Sequence, residues 1–267
     1  MNERLRKLLP HTLDLALTRL LRSWRAARER RYYSAVGLRY SLPSGLRACI
    51  NDRAEWMAFT DIFVGRIYDD AITAALAAAD VSRTFHVVDL GANVGYFALR
   101  FLDLAMQRYG RELPIHIILV EPSRSLCAEL QTRLVHQIRP NATVTLTNGL
   151  AGVRSGSAEL YESAFHIGNS LTPDRYAHKS VVPYVDLEEL TASVKTIHLL
   201  KCDIEGAEET FLENYPQLLD KVEVGAMELH HALCDTRHCR QLLVQRGFHL
   251  NVTRATEWFD ELWFQRR

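Results

Sequence analysis

Val87-Val88-Asp89-Leu90-Gly91-Ala92-Asn93-Val94-Gly95 decides the fold. An apolar run ends in an acid, two glycines follow within five residues, and a helical pattern continues to about Tyr109. Glycines between a strand and a helix let the backbone turn sharply and approach a ligand closely. The spacing is not the G-x-G-x-x-G of a dinucleotide site. Asp89 at the strand tip would also repel a pyrophosphate, which wants the N–H groups of a helix start. An acid suits a cation better. S-adenosylmethionine carries a sulfonium and an ammonium and no phosphate, so it is the cofactor that Asp89, Gly91, Asn93 and Gly95 best fit.

Outward from this turn, short apolar runs alternate with helical patterns. Strands are expected at His86–Leu90, Ile115–Val120, Thr143–Thr147, Thr196–Cys202, Val222–Leu229 and Phe248–Thr253. Helices are expected from about Gly95 to Tyr109, Ser123 to Gln137, Gly206 to Leu219 and Asp235 to Gln245. Such alternation predicts a parallel sheet covered on both faces. Residues 152–185 break the rhythm, and their Gly, Ser, Asn and Pro content predicts a hairpin and a loop. Leu262-Trp263-Phe264 is read as an antiparallel edge strand. The second strand ends in Glu121, twenty-six positions beyond Gly95. A carboxylate there can accept both hydroxyls of an adenosine ribose, as acids do in dinucleotide sites.

The flanks are less regular. Residues 38–50 alternate around Pro43-Ser44-Gly45 and predict a hairpin, with helical patterning from about Ala54 to Ala79. Leu5, Leu8, Leu9, Leu13, Ala16, Leu17, Leu20, Leu21 and Trp24 form one stripe of an amphipathic helix. Residues 1–31 hold nine Arg/Lys against three acids, a surplus of six that the rest of a neutral chain cancels. That helix needs a partner: the body, a second subunit in a homodimer, or peripherally an anionic membrane surface. Thirty-two basic and thirty-two acidic residues argue against a nucleic-acid binder. Five scattered cysteines read as reduced thiols, hence a cytoplasmic setting, and no signal peptide is expected. The division read from sequence is residues 1–80 as helix, hairpin and cap, and residues 81–267 as the cofactor domain.

With Asp89–Gly95 and Val120-Glu121-Pro122-Ser123 in place, the sequence resembles the class I, Rossmann-like methyltransferases. Val185-Asp186-Leu187-Glu188-Glu189-Leu190, followed by Leu200-Lys201-Cys202-Asp203-Ile204-Glu205-Gly206-Ala207-Glu208, is similar to the "LDEL … KIDVEGAE" signature of the FkbM family. Ile67-Tyr68-Asp69-Asp70 resembles the lead-in helix of its members. The resemblance covers roughly residues 38–231. Val185 and Cys202 depart from the pattern, and the basic helix lies outside it. It implies an α/β Rossmann-like seven-stranded sheet with an antiparallel last strand, S-adenosylmethionine as methyl donor, and a hydroxyl acceptor on a natural product, sugar or other small molecule.

Asp203 and Glu205 fall at the carboxyl edge of the sheet, where ligands of open α/β folds bind. In similar enzymes an acid here holds the methionine end of the cofactor, orients the acceptor or coordinates a divalent metal. Two carboxylates suit Mg²⁺ but are too few to make a site. Glu228-Leu229-His230 resembles the family's "E-x-H", and His230 is the expected proton acceptor. Glu208 and Glu209 read as first-turn helix acids. His230 to Cys239 lacks the ligand spacing of zinc, and Asp235 reads as a helix cap. Against an O-methyltransferase stand a nucleotide-dependent oxidoreductase on a similar sheet and a membrane- or partner-docking protein with a vestigial cofactor fold.

Overall fold

The computed structural model describes residues 11–135, 137–138, 141–162 and 178–266. A seven-stranded sheet forms its centre. It is built from β3 (Phe85–Leu90), β4 (Ile115–Glu121), β5 (Ala142–Asn148), β8 (Ile197–Cys202), β9 (Val222–His230), β10 (Phe248–Ala255) and β11 (Phe259–Arg266) in the order β10-β11-β9-β8-β3-β4-β5. Only β11 runs against its neighbours, and it lies between β9 and β10. The antiparallel strand is therefore present as expected, but it is inserted one place inside the edge. The order reverses between β3 and β8, with Val87 to Leu90 paired to Leu199 to Cys202. Ligands of open α/β sheets sit over such a switch point.

The central strands are apolar throughout because both faces are covered. Val87, Ile117, Leu119, Leu199 and Ala226 face one core, together with Ile72, Leu76, Phe97 and Phe101. Val88, Leu90, Ile118, Leu200 and Met227 face the other, with Phe211, Tyr215, Leu243 and Phe264. The first core takes in Leu42, Ala48, Phe59 and Phe63 from the lead-in, so those residues are part of the layer that covers the sheet.

That lead-in contains β1 (Leu38–Ser41) and β2 (Arg47–Ile50), the expected hairpin. The helix read from Ala54 to Ala79 is broken: α2 (Arg53–Phe59) passes into a π-helical turn at Thr60–Val64, and α3 (Asp69–Ala77) restarts after Arg66 at φ +58. Hydrophobic spacing cannot register a single left-handed residue. The restart places Tyr68 immediately before α3, which packs over β8, β9 and β11. Among the remaining elements are α4 (Tyr96–Tyr109), α5 (Arg124–Val135), the hairpin of β6 (Ser157–Glu162) with β7 (His178–Pro183), and α6 (Leu187–Leu190). The helix expected from Gly206 to Leu219 is two, α7 (Glu208–Asn214) and α8 (Pro216–Asp220), because Pro216 can start a helix but not continue one. α9 (Thr236–Gln245) is capped by Asp235, which accepts the N–H groups of Arg237 and His238.

α1 (His11–Val36) confirms a helix near the start of the chain. Leu5, Leu8 and Leu9 of its expected stripe lie outside the described residues. Leu20 and Trp24 are exposed; an Arg30–Asp52 ion pair at 3.4 Å and the packing of Tyr33 tie its last turns to the lead-in.

Candidate active site

The carboxyl ends of β3, β4, β8 and β9 bring the expected residues to one edge. Gly91, Asn93, Glu121, Asp203 and Glu205 line a common cleft, and Pro122, Leu126, Gly149, Leu150, Ala151 and Leu160 close its apolar end. Asp89 lies buried beneath it. Gly95 is not among the lining residues. It takes φ +82 ahead of α4, and a Cβ there would come within 2.7 Å of Leu130 Cδ2, so its smallness serves the packing of α4 on α5. Gly91 does shape the cleft: at φ +77 it turns the chain so closely past β8 that a Cβ would lie 1.9 Å from the Asp203 carbonyl oxygen.

Glu121 is buried and both its oxygens are held. Oε2 accepts the Asn93 N–H at 2.8 Å and Oε1 accepts the Ser123 N–H at 2.8 Å. Burial pushes its carboxyl up to about 7, with those two N–H groups working the other way. Each oxygen keeps lone-pair capacity for a hydroxyl. The Asn148 amide donates to the carbonyls of Glu121 and Pro122, both at 2.9 Å, and the Gly149 N–H donates to the Glu121 carbonyl at 3.1 Å. This third-strand support escapes sequence reading, although an Asn-Gly pair ending an apolar strand is a detectable sign.

Asp89 is fully buried, and neither of its oxygens has a hydrogen-bond partner among the described residues. Its nearest cation is Lys201 Nζ at 3.5 Å. Burial raises its pKa, with Lys201 opposing. Lys201 donates to the carbonyls of Leu90 (3.3 Å) and Gly91 (2.6 Å) and lies 3.5 Å from Asp203. Burial disfavours its charge, yet Asp203 and Asp89 raise its pKa overall. A lysine between Leu200 and Cys202 in a strand apolar on both faces was the signal that it works inside the site. An orphaned buried carboxylate next to a turn with no room for a side chain fits a cationic cofactor lying against backbone. Glu121 fits its ribose.

On the side where an acceptor was expected, His230 sits inside a ring of carboxylates. Nδ1 lies 3.1 Å from Glu208, and Nε2 lies 3.2 Å from Glu228 and 3.4 Å from Glu205. Burial works against its charge, but bonds to Glu208 and Glu228 carry it up to about 11. A shift that far favours the imidazolium form of His230, so the better proton acceptor beside it is a carboxylate once that carboxylate is ionised. Glu205 occupies a strained left-handed position at φ +53. Burial, and then Asp203, push it up to about 8, against the pull of His230. Glu208 was read as a first-turn acid. It is that, and more: its Oε1 also accepts the N–H groups of Ile204 and Gly206 at 3.2 Å, holding the loop that presents Glu205.

Asp203, Glu208 and His230 bring potential ligand atoms within 4.8 Å of one another. Both nitrogens of His230 already face carboxylates, so its proton offsets one of their charges and leaves neither nitrogen free for a metal, and two carboxylates, Asp203 and Glu205, are few for the oxygen set of Mg²⁺. Tyr68, absent from the sequence-based site, is 6% exposed, and the carboxylates of Asp203, Glu228, Asp89 and Glu261 join burial in raising its hydroxyl pKa well above the ordinary value.

The FkbM methyltransferase domain matches residues 89–250 of the chain. No curated protein matches it. Among solved structures it is similar to the methyltransferase FkbM from Methylobacillus flagellatus KT, with 16% identity and a TM-score of 0.48 over 80% of this chain and 62% of that one. It is also similar to a precorrin-6y C5,15-methyltransferase from Geobacter metallireducens GS-15 (11%, 0.45, 76% and 88%). A third similarity is to an rRNA methylase from Streptococcus thermophilus (13%, 0.44, 74% and 94%).

Proposed function

The chain belongs to the FkbM methyltransferase family, and from that premise we propose that it moves the methyl group of S-adenosylmethionine to a hydroxyl of a small molecule, natural product or sugar. The observation that carries the cofactor half is Glu121, a buried carboxylate fixed by the Asn93 and Ser123 N–H groups at the end of the strand next to the glycine turn. When bound, the cofactor supplies an electrophilic methyl on a sulfonium that needs no activation by the protein.

What remains for the protein is to bind, orient and take up a proton. Glu121 receives the ribose hydroxyls, and Pro122, Leu126 and Leu150 enclose the base. Asp89 faces the cationic end, with Lys201 preventing the buried Asp89 and the half-buried Asp203 from repelling each other unopposed. The acceptor hydroxyl approaches from the Asp203–Glu205 side. As its oxygen gains the methyl, its proton passes to Glu205, and the neighbouring His230 imidazolium steadies that carboxylate before it is protonated.

Glu121→Ala is expected to weaken S-adenosylmethionine binding by roughly tenfold to a hundredfold, about 1.4–2.8 kcal/mol, in isothermal titration. Unchanged affinity would remove Glu121 from the cofactor site. Binding of NAD in place of S-adenosylmethionine would overturn the reading as a whole.

A further inference from the structure

The acceptor side is crowded with acids that have no cation of their own. Three cations are present at this edge among the described residues, and each is already shared. Lys201 faces Asp89 and Asp203, His230 faces Glu205, Glu208 and Glu228, and Arg254 lies 3.2 Å from Glu261 and 3.8 Å from Asp61. Carboxyl groups thus outnumber cations here, and burial raises several of them, Glu205, Glu228 and Glu261 included; a bound cofactor with two positive groups and one carboxylate adds a net charge of only one.

The excess is concentrated by the sheet itself. Glu228 of β9 and Glu261 of β11 are directly opposite in the antiparallel register, so their side chains leave the same face side by side. Like charges in that position destabilise a sheet. Both are largely buried, and burial has raised both carboxyl groups. Tyr68 supplies an independent observation. It is more than nine-tenths buried, its hydroxyl makes no hydrogen bond among the described residues, and Asp203, Glu228 and Glu261 surround it electrostatically. Its oxygen is an acceptor with no hydrogen-bond partner among the described residues, and the same acids lie near enough to act on it.

Resting on the reading of this edge as the acceptor side, we propose that the acceptor carries a protonated amine, received by Glu228, Glu261 and the Tyr68 hydroxyl beside the group that is methylated. An ammonium has three donors, matching these three acceptors in number, and it removes the repulsion between the paired glutamates. A neutral polyol offers donors and leaves the charge in place.

The test is isothermal titration of the full chain loaded with S-adenosylhomocysteine, in chelator-treated buffer, with three pairs of probes that differ by amine for hydroxyl. These are glucosamine and glucose, tyramine and 4-(2-hydroxyethyl)phenol, and 1,5-diaminopentane and 1,5-pentanediol. In at least one pair the amine is expected to bind about tenfold or more tightly. Glu228→Gln combined with Glu261→Gln should erase the preference while adenosylhomocysteine affinity stays within about twofold. Tyr68→Phe should reduce the preference and serves as the readout if the double variant does not fold. No amine preference in any pair, binding or not, overturns the proposal, as does a preference that survives these variants. A parent chain that fails to bind adenosylhomocysteine would instead strike the cofactor reading.

Discussion

Glu205 shows how much of this site turns on single residues. A carboxyl raised to about 8 becomes a proton acceptor only as pH climbs through that value, so kcat/KM for methyl transfer should rise to a plateau above about pH 8. Glu205→Gln should lower the plateau and flatten the rise; a profile unchanged in that variant would assign the proton elsewhere. The same shift works against stability. The folded state holds this proton more tightly than the unfolded chain, so stability falls as pH rises from the ordinary carboxylate range to about 8. Gly91 carries a steric prediction. With φ +77 and 1.9 Å between a notional Cβ and the Asp203 carbonyl, Gly91→Ala should cost at least about 3 kcal/mol in denaturant unfolding or yield no soluble protein. At this scale sequence reading reached Asp89, Gly91, Asn93, Glu121, Asp203, Glu205 and His230 because each ends a strand or opens a turn. It could not see the carboxylates around the His230 ring, since Glu205 of a loop, Glu208 of a helix and Glu228 of a strand meet there only after folding.

At the scale of elements, Glu55 is one of the buried polar groups that hold the lead-in. Glu55 of α2 is 2% exposed, pairs with Arg133 of α5 at 2.6 Å, accepts the Asn51 N–H at 2.8 Å and receives the Tyr96 hydroxyl at 3.3 Å. Tyr96 opens α4 directly behind the glycine turn. Glu55→Ala leaves the Arg133 guanidinium without its closest partner and should lower stability by about 3 kcal/mol, read from the denaturant midpoint. A loss under about 0.5 kcal/mol would mean that Glu129, which also pairs with Arg133, is a sufficient substitute. Strands and helices of the sheet were legible because periodicity and breakers coincide there. The break at Gly65–Tyr68 was not, because Phe59, Phe63, Ile67, Ala71 and Ala75 keep a four-residue rhythm straight across a left-handed Arg66.

Over the whole molecule, charge and site are separated. Every residue placed in the cofactor cleft lies between Asp89 and Leu160, or between Asp203 and Ala207, whereas the positive surplus lies in residues 1–31. Deleting residues 1–29 removes four of those six surplus charges and spares Arg30 and Tyr33, so affinity for S-adenosylmethionine should change by less than about twofold. A larger loss in titration would show that the helix reaches the site. We propose that the helix serves a partner surface; sedimentation of the full and shortened chains with anionic vesicles separates a membrane from a second copy of the chain. No helix among the described residues is long and apolar enough to cross a membrane. The family resemblance implied seven strands with an antiparallel last one but not their order, since spacing along a chain does not say which strands lie side by side.

The insertion of β11 between β9 and β10 also has a consequence in time. While the chain is being synthesised, β10 emerges before the strand that joins it to the sheet, and until residues 259–266 follow, it has no neighbour to bond. A nascent chain that stops at Ala255 therefore lacks Glu261, leaves Glu228 facing an open flank, and exposes Leu229 and Met227 on an unfinished edge. The residues lining the cofactor cleft all precede β10, whereas the Glu228–Glu261 pair exists only once β11 has joined the sheet.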